Sequence, residues 1–184
     1  NIVIMLLIII GGIGFFTWED IYLHKFHFKH YHMQSKVILT TTLCLILLPA
    51  VFFFFQDYGN LSGIHRLLAS LFQAVTPRTA GFNTTDLSML TGASKAMMIL
   101  LMLIGGSPSS TAGGMKTTTF ALLLLNVLAT FQSCDDVTAF GRRIDTSVIK
   151  NATTIAMMYF ILFFAGGMTI SVYEGLPLSS CLFE

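Results

Sequence analysis

Residues 93–131 form an apolar stretch too long for one membrane crossing and interrupted at its centre. As an unbroken helix it would run close to ~58 Å, nearly twice the hydrocarbon thickness of a bilayer. Its middle, Gly105-Gly106-Ser-Pro-Ser-Ser-Thr-Ala-Gly113-Gly114, carries four glycines and a proline and is no stable helix. The stretch therefore reads as one crossing built from two helical pieces joined by a polar loop. Composition supports the setting. Only 10% of residues are charged and 54% are hydrophobic, which excludes an ordinary soluble domain and places the chain in a membrane.

A second segment has the opposite fault. Arg66–Val75 is helical in pattern, but about ten residues reach only ~15 Å, half the bilayer, so it is expected to dip in and return. Three other runs suit ordinary spans. Asn1–Phe16 reads as the surviving part of one helix, Val37–Phe55 as a full one kinked by Pro49, and Ile149–Val172 as another. Gly166 and Gly167 in the last allow close helix approach. The chain starts inside an apolar run, without Met, a basic leader or a cleavage site, so the expectation is an internal piece of a longer protein. The fold class expected is an all-α membrane protein of helix–re-entrant pore helix–helix repeats with a broken second helix. Residues 1–36 would hold the last helix of one repeat plus a loop. Residues 37–148 would form a complete repeat: outer helix 37–55, pore helix 66–75, filter 76–83, broken helix 93–131 and loop 132–148. Residues 149–184 would open the next repeat.

Charge fixes the parity. Lys25, Lys29 and Lys36 lie in or beside one loop, and Arg142, Arg143 and Lys150 in or beside another. With 66–83 re-entrant and 93–131 a single crossing, both loops fall on one face, which the positive-inside tendency makes cytoplasmic. Two complete spans in 93–131 would put them on opposite faces. A net charge near +1 leaves no nucleic-acid footprint. Cys44, Cys134 and Cys181 stand far apart, as packing residues rather than a disulfide frame or metal site.

Thr79-Ala80-Gly81-Phe82-Asn83 is the segment with chemistry to offer. Gly81 permits angles that let successive carbonyls face a common axis, and Phe82 could hold the strand against neighbouring helices. The negative end of the short helix before it favours a cation. Backbone oxygens at membrane depth that replace a hydration shell make a filter. An ordinary external turn fits the same residue types. The break at 105–114 is equally two-sided, either a movable obstruction or a permanent kink whose hydroxyls satisfy freed backbone groups.

AVTPRTAGFNTTDLS followed by LIGGSPSSTAGGMKTTTFA resembles the third pore repeat of the Trk/Ktr/HKT superfamily of potassium transporters, in particular the KtrB-type membrane subunit. The resemblance covers essentially the whole chain. It implies four repeats around one pathway in the cell membrane, each giving one filter strand. By that likeness Gly81 is the filter glycine, and the carbonyls of Thr79, Ala80, Gly81 and Phe82 are ligands of the transported K⁺. Arg78 and Asn83 would support the filter, Arg78 by bracing the pore helix in preference to lining the outer mouth. The loop becomes a gate below the filter, hinged at Gly105, Gly106, Gly113 and Gly114. Ser107, Ser109, Ser110 and Thr111 would supply its hydroxyls, and Lys116 would follow at membrane depth or the inner interface. Homodimers, a cytoplasmic ring of nucleotide-binding regulatory subunits and Na⁺ as coupling ion are further implications of the likeness. No resident cofactor and no enzyme activity are expected.

Three lookalikes are set aside. Ser110–Thr117 echoes a phosphate-binding loop but has Ser110 and Met115 where glycines are required. His24, His27, His30 and His32 are interleaved by Phe and Lys with no acidic or thiolate partner following, so an interfacial loop suits them better than a metal. Met97, Met98 and Met102 read as packing surface. Two rivals stay open: a secondary transporter binding its substrate at the broken helix, which lacks an acidic residue within 93–131, and a non-conducting membrane subunit.

Overall fold

The computed structural model describes residues 1–25, 27–59, 63–82, 90–134 and 136–183. These are mostly helical. Among the described residues two helices are long and apolar enough to cross a membrane by length and composition, α3 (Met33–Gln56) and α7 (Thr146–Glu174). The first runs on as one helix through Pro49. The second begins at Asp145, whose Oδ1 accepts from Ser147 N at 3.0 Å, and stops at Gly175 in the left-handed conformation, with Pro177 just beyond.

The expected single helix over residues 1–16 is instead two, α1 (Ile2–Ile13) and α2 (Phe15–His24), bent by 94°. Gly14 makes the break, at φ 89° and ψ 147°, a conformation that a Cβ would strain. Much of the expected loop before residue 37 is thus helical. Further along, α4 (Gly63–Val75) is the short helix, while α5 (Gly92–Leu103) and α6 (Thr117–Phe131) flank the loop in the long apolar stretch. A hairpin unforeseen from sequence, β1 (Thr138–Ala139) with β2 (Arg142–Arg143), turns through Phe140 and Gly141, both at positive φ. After α7 comes the one-and-a-half-turn α8 (Leu178–Phe183). A Cβ on Gly167 would stand 2.3 Å from Leu182 Cδ2, so α7 and α8 meet at that glycine, whereas Gly166 faces open space.

Packing sorts the chain into two ends. At one, Arg66 of α4 donates from Nε (2.8 Å) and Nη2 (2.6 Å) to the Phe54 carbonyl and stacks 4.0 Å from that ring's centroid. Thr91, capping α5, donates its N–H to Asp57 Oδ1 at 3.4 Å. The segment from Asp57 to Thr91 therefore leaves and returns at the same end of α3. Ala50, Phe53, Ala74, Met98 and Leu101 bury the joint of α3, α4 and α5. At the other end Val37, Ala121, Val137, Ala139 and Ile144 gather the start of α3, α6 and the hairpin, while Phe28 and Phe140 stack at 6.2 Å. The basic residues of both loops share that end. Between the two ends Ile104, Met115 and Ala156 fasten the broken helix to α7.

Candidate functional site

The chain leaves α4 through a tight turn rather than running straight out. Thr76 N donates to Phe72 O (2.9 Å), Arg78 N to Val75 O (3.2 Å) and Ala80 N to Thr76 O (3.3 Å). Thr79 and Gly81 then take positive φ, 62° and 70°. For Thr79 this is a strained choice for a β-branched residue. Thr76 Oγ1 donates to the Phe82 carbonyl and closes the turn on itself. Sequence reasoning passed over Thr76; its only signal was a hydroxyl at the C-terminal end of a short helix.

Residues 76–82 lie between two cavities. The first, about 370 Å³, is lined by Arg78, Thr79, Ala80 and Phe82 on one side and by Gly11, Gly12, Thr111 and Ala112 on another. The second, also about 370 Å³, takes Thr76, Pro77, Ala80 and Gly81 against Met98, Met102 and Phe183. Met98 is buried, in keeping with a packing role for these methionines. Phe82 is 55% exposed. Arg78 is 5% exposed, and its Nε and Nη2 have no hydrogen-bond partner among the described residues. Asn83 lies outside the described residues.

The loop between α5 and α6 is stapled at its base. Gly105 N donates to Met115 O (2.9 Å), Met115 N to Leu103 O (3.1 Å) and Thr117 N to Gly106 O (3.1 Å). Its glycines serve different ends. A Cβ on Gly105 would sit 1.6 Å from the Gly113 carbonyl oxygen, and one on Gly106 would sit 2.6 Å from Ala112 Cβ. Those two are close-approach positions, Gly114 supplies φ 70°, and Gly113 faces open space. Ser107 is wholly buried and its Oγ meets Thr117 Oγ1 at 3.0 Å. Ser110 N donates to Ser107 O at 3.2 Å, while Ser109 and Thr111 reach the surface. Lys116 turns back, Nζ donating to Ala112 O at 2.8 Å, and Tyr159 of α7 donates to Gly114 O at 3.3 Å.

The histidines find a partner upstream. Asp20 of α2, 3% exposed, accepts from His32 N (3.0 Å) and from Ser35 Oγ, and lies 2.6 Å from His32 Nδ1. It thereby holds the free N-terminal end of α3. Among the described residues no group of three His, Cys, Asp or Glu could hold a metal ion.

What this arrangement brings together is a backbone turn at the end of a half-length helix, a stapled Gly/Ser loop and an apolar helix wall, around one cavity. Comparison with known proteins gives the family and the fold. A family model described as a cation transport protein, TrkH, matches residues 1–184. The chain is 35% identical over 190 residues to the Ktr system potassium uptake protein B of Bacillus subtilis, covering 100% of this chain and 42% of that protein. It is also 35% identical to the potassium/sodium uptake protein NtpJ of Enterococcus hirae, covering 97% of this chain and 40% of that protein. The crystal structure of the potassium transporter TrkH from Vibrio parahaemolyticus superposes with a TM-score of 0.77 at 18% identity, over 97% of this chain and 40% of that one. At that identity the likeness shows the fold. The chain spans about two fifths of the length of these relatives, and its long apolar helices α3 and α7 make it a membrane protein.

Proposed function

Since this chain belongs to the TrkH family of cation transport proteins, we propose that it forms part of the pore of a potassium uptake system. The observation that carries the reading is the shared cavity between the 78–82 turn and the Gly/Ser loop. A cation stripped of water needs several oxygens at fixed distance, and backbone carbonyls supply them at membrane depth only where they face a cavity kept from lipid. In this reading the start and return of 57–91 at one end of α3 make α4 a re-entrant pore helix. Thr79, Ala80, Gly81 and Phe82 present their carbonyls to K⁺. The Phe82 oxygen also accepts from Thr76, which fixes the depth of the strand. Arg78 sets a buried positive charge beside the strand. The 105–114 loop gates the path beneath, and Lys116 closes its inner edge.

One complete repeat cannot enclose a pathway, so the other repeats of the whole protein must supply the remaining filter strands. Homodimers, a cytoplasmic nucleotide-binding partner and coupling to Na⁺ belong to the same proposal. The likeness to a named component of a Ktr system supports the existence of a partner subunit. No bond-making chemistry is assigned.

Growth of a potassium-uptake-deficient host at limiting K⁺ tests the reading. The whole protein carrying this chain should restore growth, and Gly81→Ser should abolish that rescue or let Na⁺ compete. Unchanged uptake and ion discrimination in Gly81→Ser would remove position 81 from the filter.

A further inference from the structure

The helix break at Gly14 leaves backbone groups without intrahelical partners, namely the last carbonyls of α1 and the first N–H groups of α2. The loop between α5 and α6 takes up two of them. Ser107 N donates to Gly12 O at 2.9 Å, and Phe15 N donates to Ser109 O at 3.1 Å. Thr111 Oγ1 reaches Gly11 O at 3.5 Å, at the limit of a bond. Pro108 fits between these contacts only because residue 14 has no side chain: a Cβ there would stand 2.4 Å from the Pro108 oxygen. The elbow is itself braced. Trp18 Nε1 of α2 donates back across the bend to Ile10 O of α1 at 3.0 Å, and Asp20 ties α2 to the start of α3. The seat is therefore a fixed, shape-matched receptor built by a segment far away in sequence.

We infer that the α1–α2 elbow at Gly14 is the docking seat that holds the Gly/Ser loop across the ion path, and that the path opens when residues 107–111 leave it. Gly12, Gly14 and Phe15 position the loop through their backbone, and Trp18 positions the elbow. The inference rests on the gate reading proposed above and adds the element against which the gate closes.

The test is a reversible tether. A Cβ on Gly11 would lie 3.3 Å from Thr111 Oγ1, a spacing that suits a disulfide once both positions are cysteine. The whole protein with Gly11→Cys and Thr111→Cys is reconstituted in liposomes and K⁺ flux is followed before oxidation, after it and after dithiothreitol. Flux should fall to the protein-free background on oxidation and return on reduction, while each single variant and the unaltered protein ignore the oxidant. A cross-link confirmed by mass spectrometry that leaves flux unchanged overturns the inference, as does failure of the two thiols to join. Trp18→Phe supplies an independent arm. It keeps the ring but drops the bond to Ile10, and resting leak should rise about fivefold, what one net hydrogen bond is worth. Leak equal to that of the unaltered protein would speak against the braced seat. If the unaltered protein carries no K⁺ flux, the pathway reading fails instead, and the cross-linking yield alone then decides whether the seat exists.

Discussion

Phe28 and Phe140 stand edge to face, ring centroids 6.2 Å apart and planes at 74°, joining the loop after α2 to the β-hairpin before α7. This pair puts the two basic segments at one end of the molecule, with α6 descending between them. Cysteines introduced at Lys29 and Arg142 should accordingly react with an impermeant maleimide from the cytoplasmic side only, and a cysteine at Gly59 from the outside only. Labelling of positions 29 and 142 from opposite sides would require 93–131 to cross twice.

Thr76 closes the turn after α4 by bonding to the carbonyl of Phe82. Thr76→Val keeps the shape and removes that bond, a net loss of about 1 kcal/mol. The expected result is a protein of nearly normal abundance with a lower K⁺ over Na⁺ flux ratio in liposomes. A ratio unchanged within error would mean that the depth of the 79–82 turn is set elsewhere.

Ser107 and Thr117, both fully buried, hold each other's hydroxyls at 3.0 Å. Either Ser107→Ala or Thr117→Val leaves an orphaned polar group, at a cost of roughly 1–3 kcal/mol, whereas removing both leaves none. Thermal unfolding in detergent should thus show the double variant more stable than the sum of the single losses predicts. Additive losses would show that the two hydroxyls do not depend on one another.

Asp20 is the buried acid that gathers His32 and Ser35. Asp20→Ala should lower stability by on the order of 3 kcal/mol, since a charged acceptor with several donors is lost together with the cap on α3. Asp20→Asn, which can still accept from the His32 N–H, should lose less. Equal losses in both variants would mean that a neutral acceptor of the same shape recovers nothing and that the charge carries the whole contribution.

Legibility followed distance along the chain. The apolar runs of α3 and α7, the short helix α4 and the Gly/Ser break are local patterns, and the membrane class and helical fold were readable from them. Length decided much of it, since neither ten nor thirty-nine apolar residues match one bilayer crossing. Gly14 was not readable as a break. It sits in a uniformly apolar context, and its need to lack a Cβ arises from Pro108, which only the folded chain brings near. Asp20 was hidden for a similar reason: no acidic residue follows the histidines closely in sequence, and the fold supplies one from before them. In the candidate site the segments themselves could be named from sequence. The closing bond from Thr76 and the seat under Ser107 are contacts between segments, and no periodicity encodes those.

The staple between Ile104 and Met115 has a kinetic consequence. It shortens the free portion of the loop to about ten residues, and chain segments of that length find their own ends in ~10–100 ns. In the gating proposal, a displaced segment that found no other partner would return quickly to the elbow. A lasting conductive interval therefore demands a second resting place for residues 107–111, or some outside agent that occupies the vacated elbow.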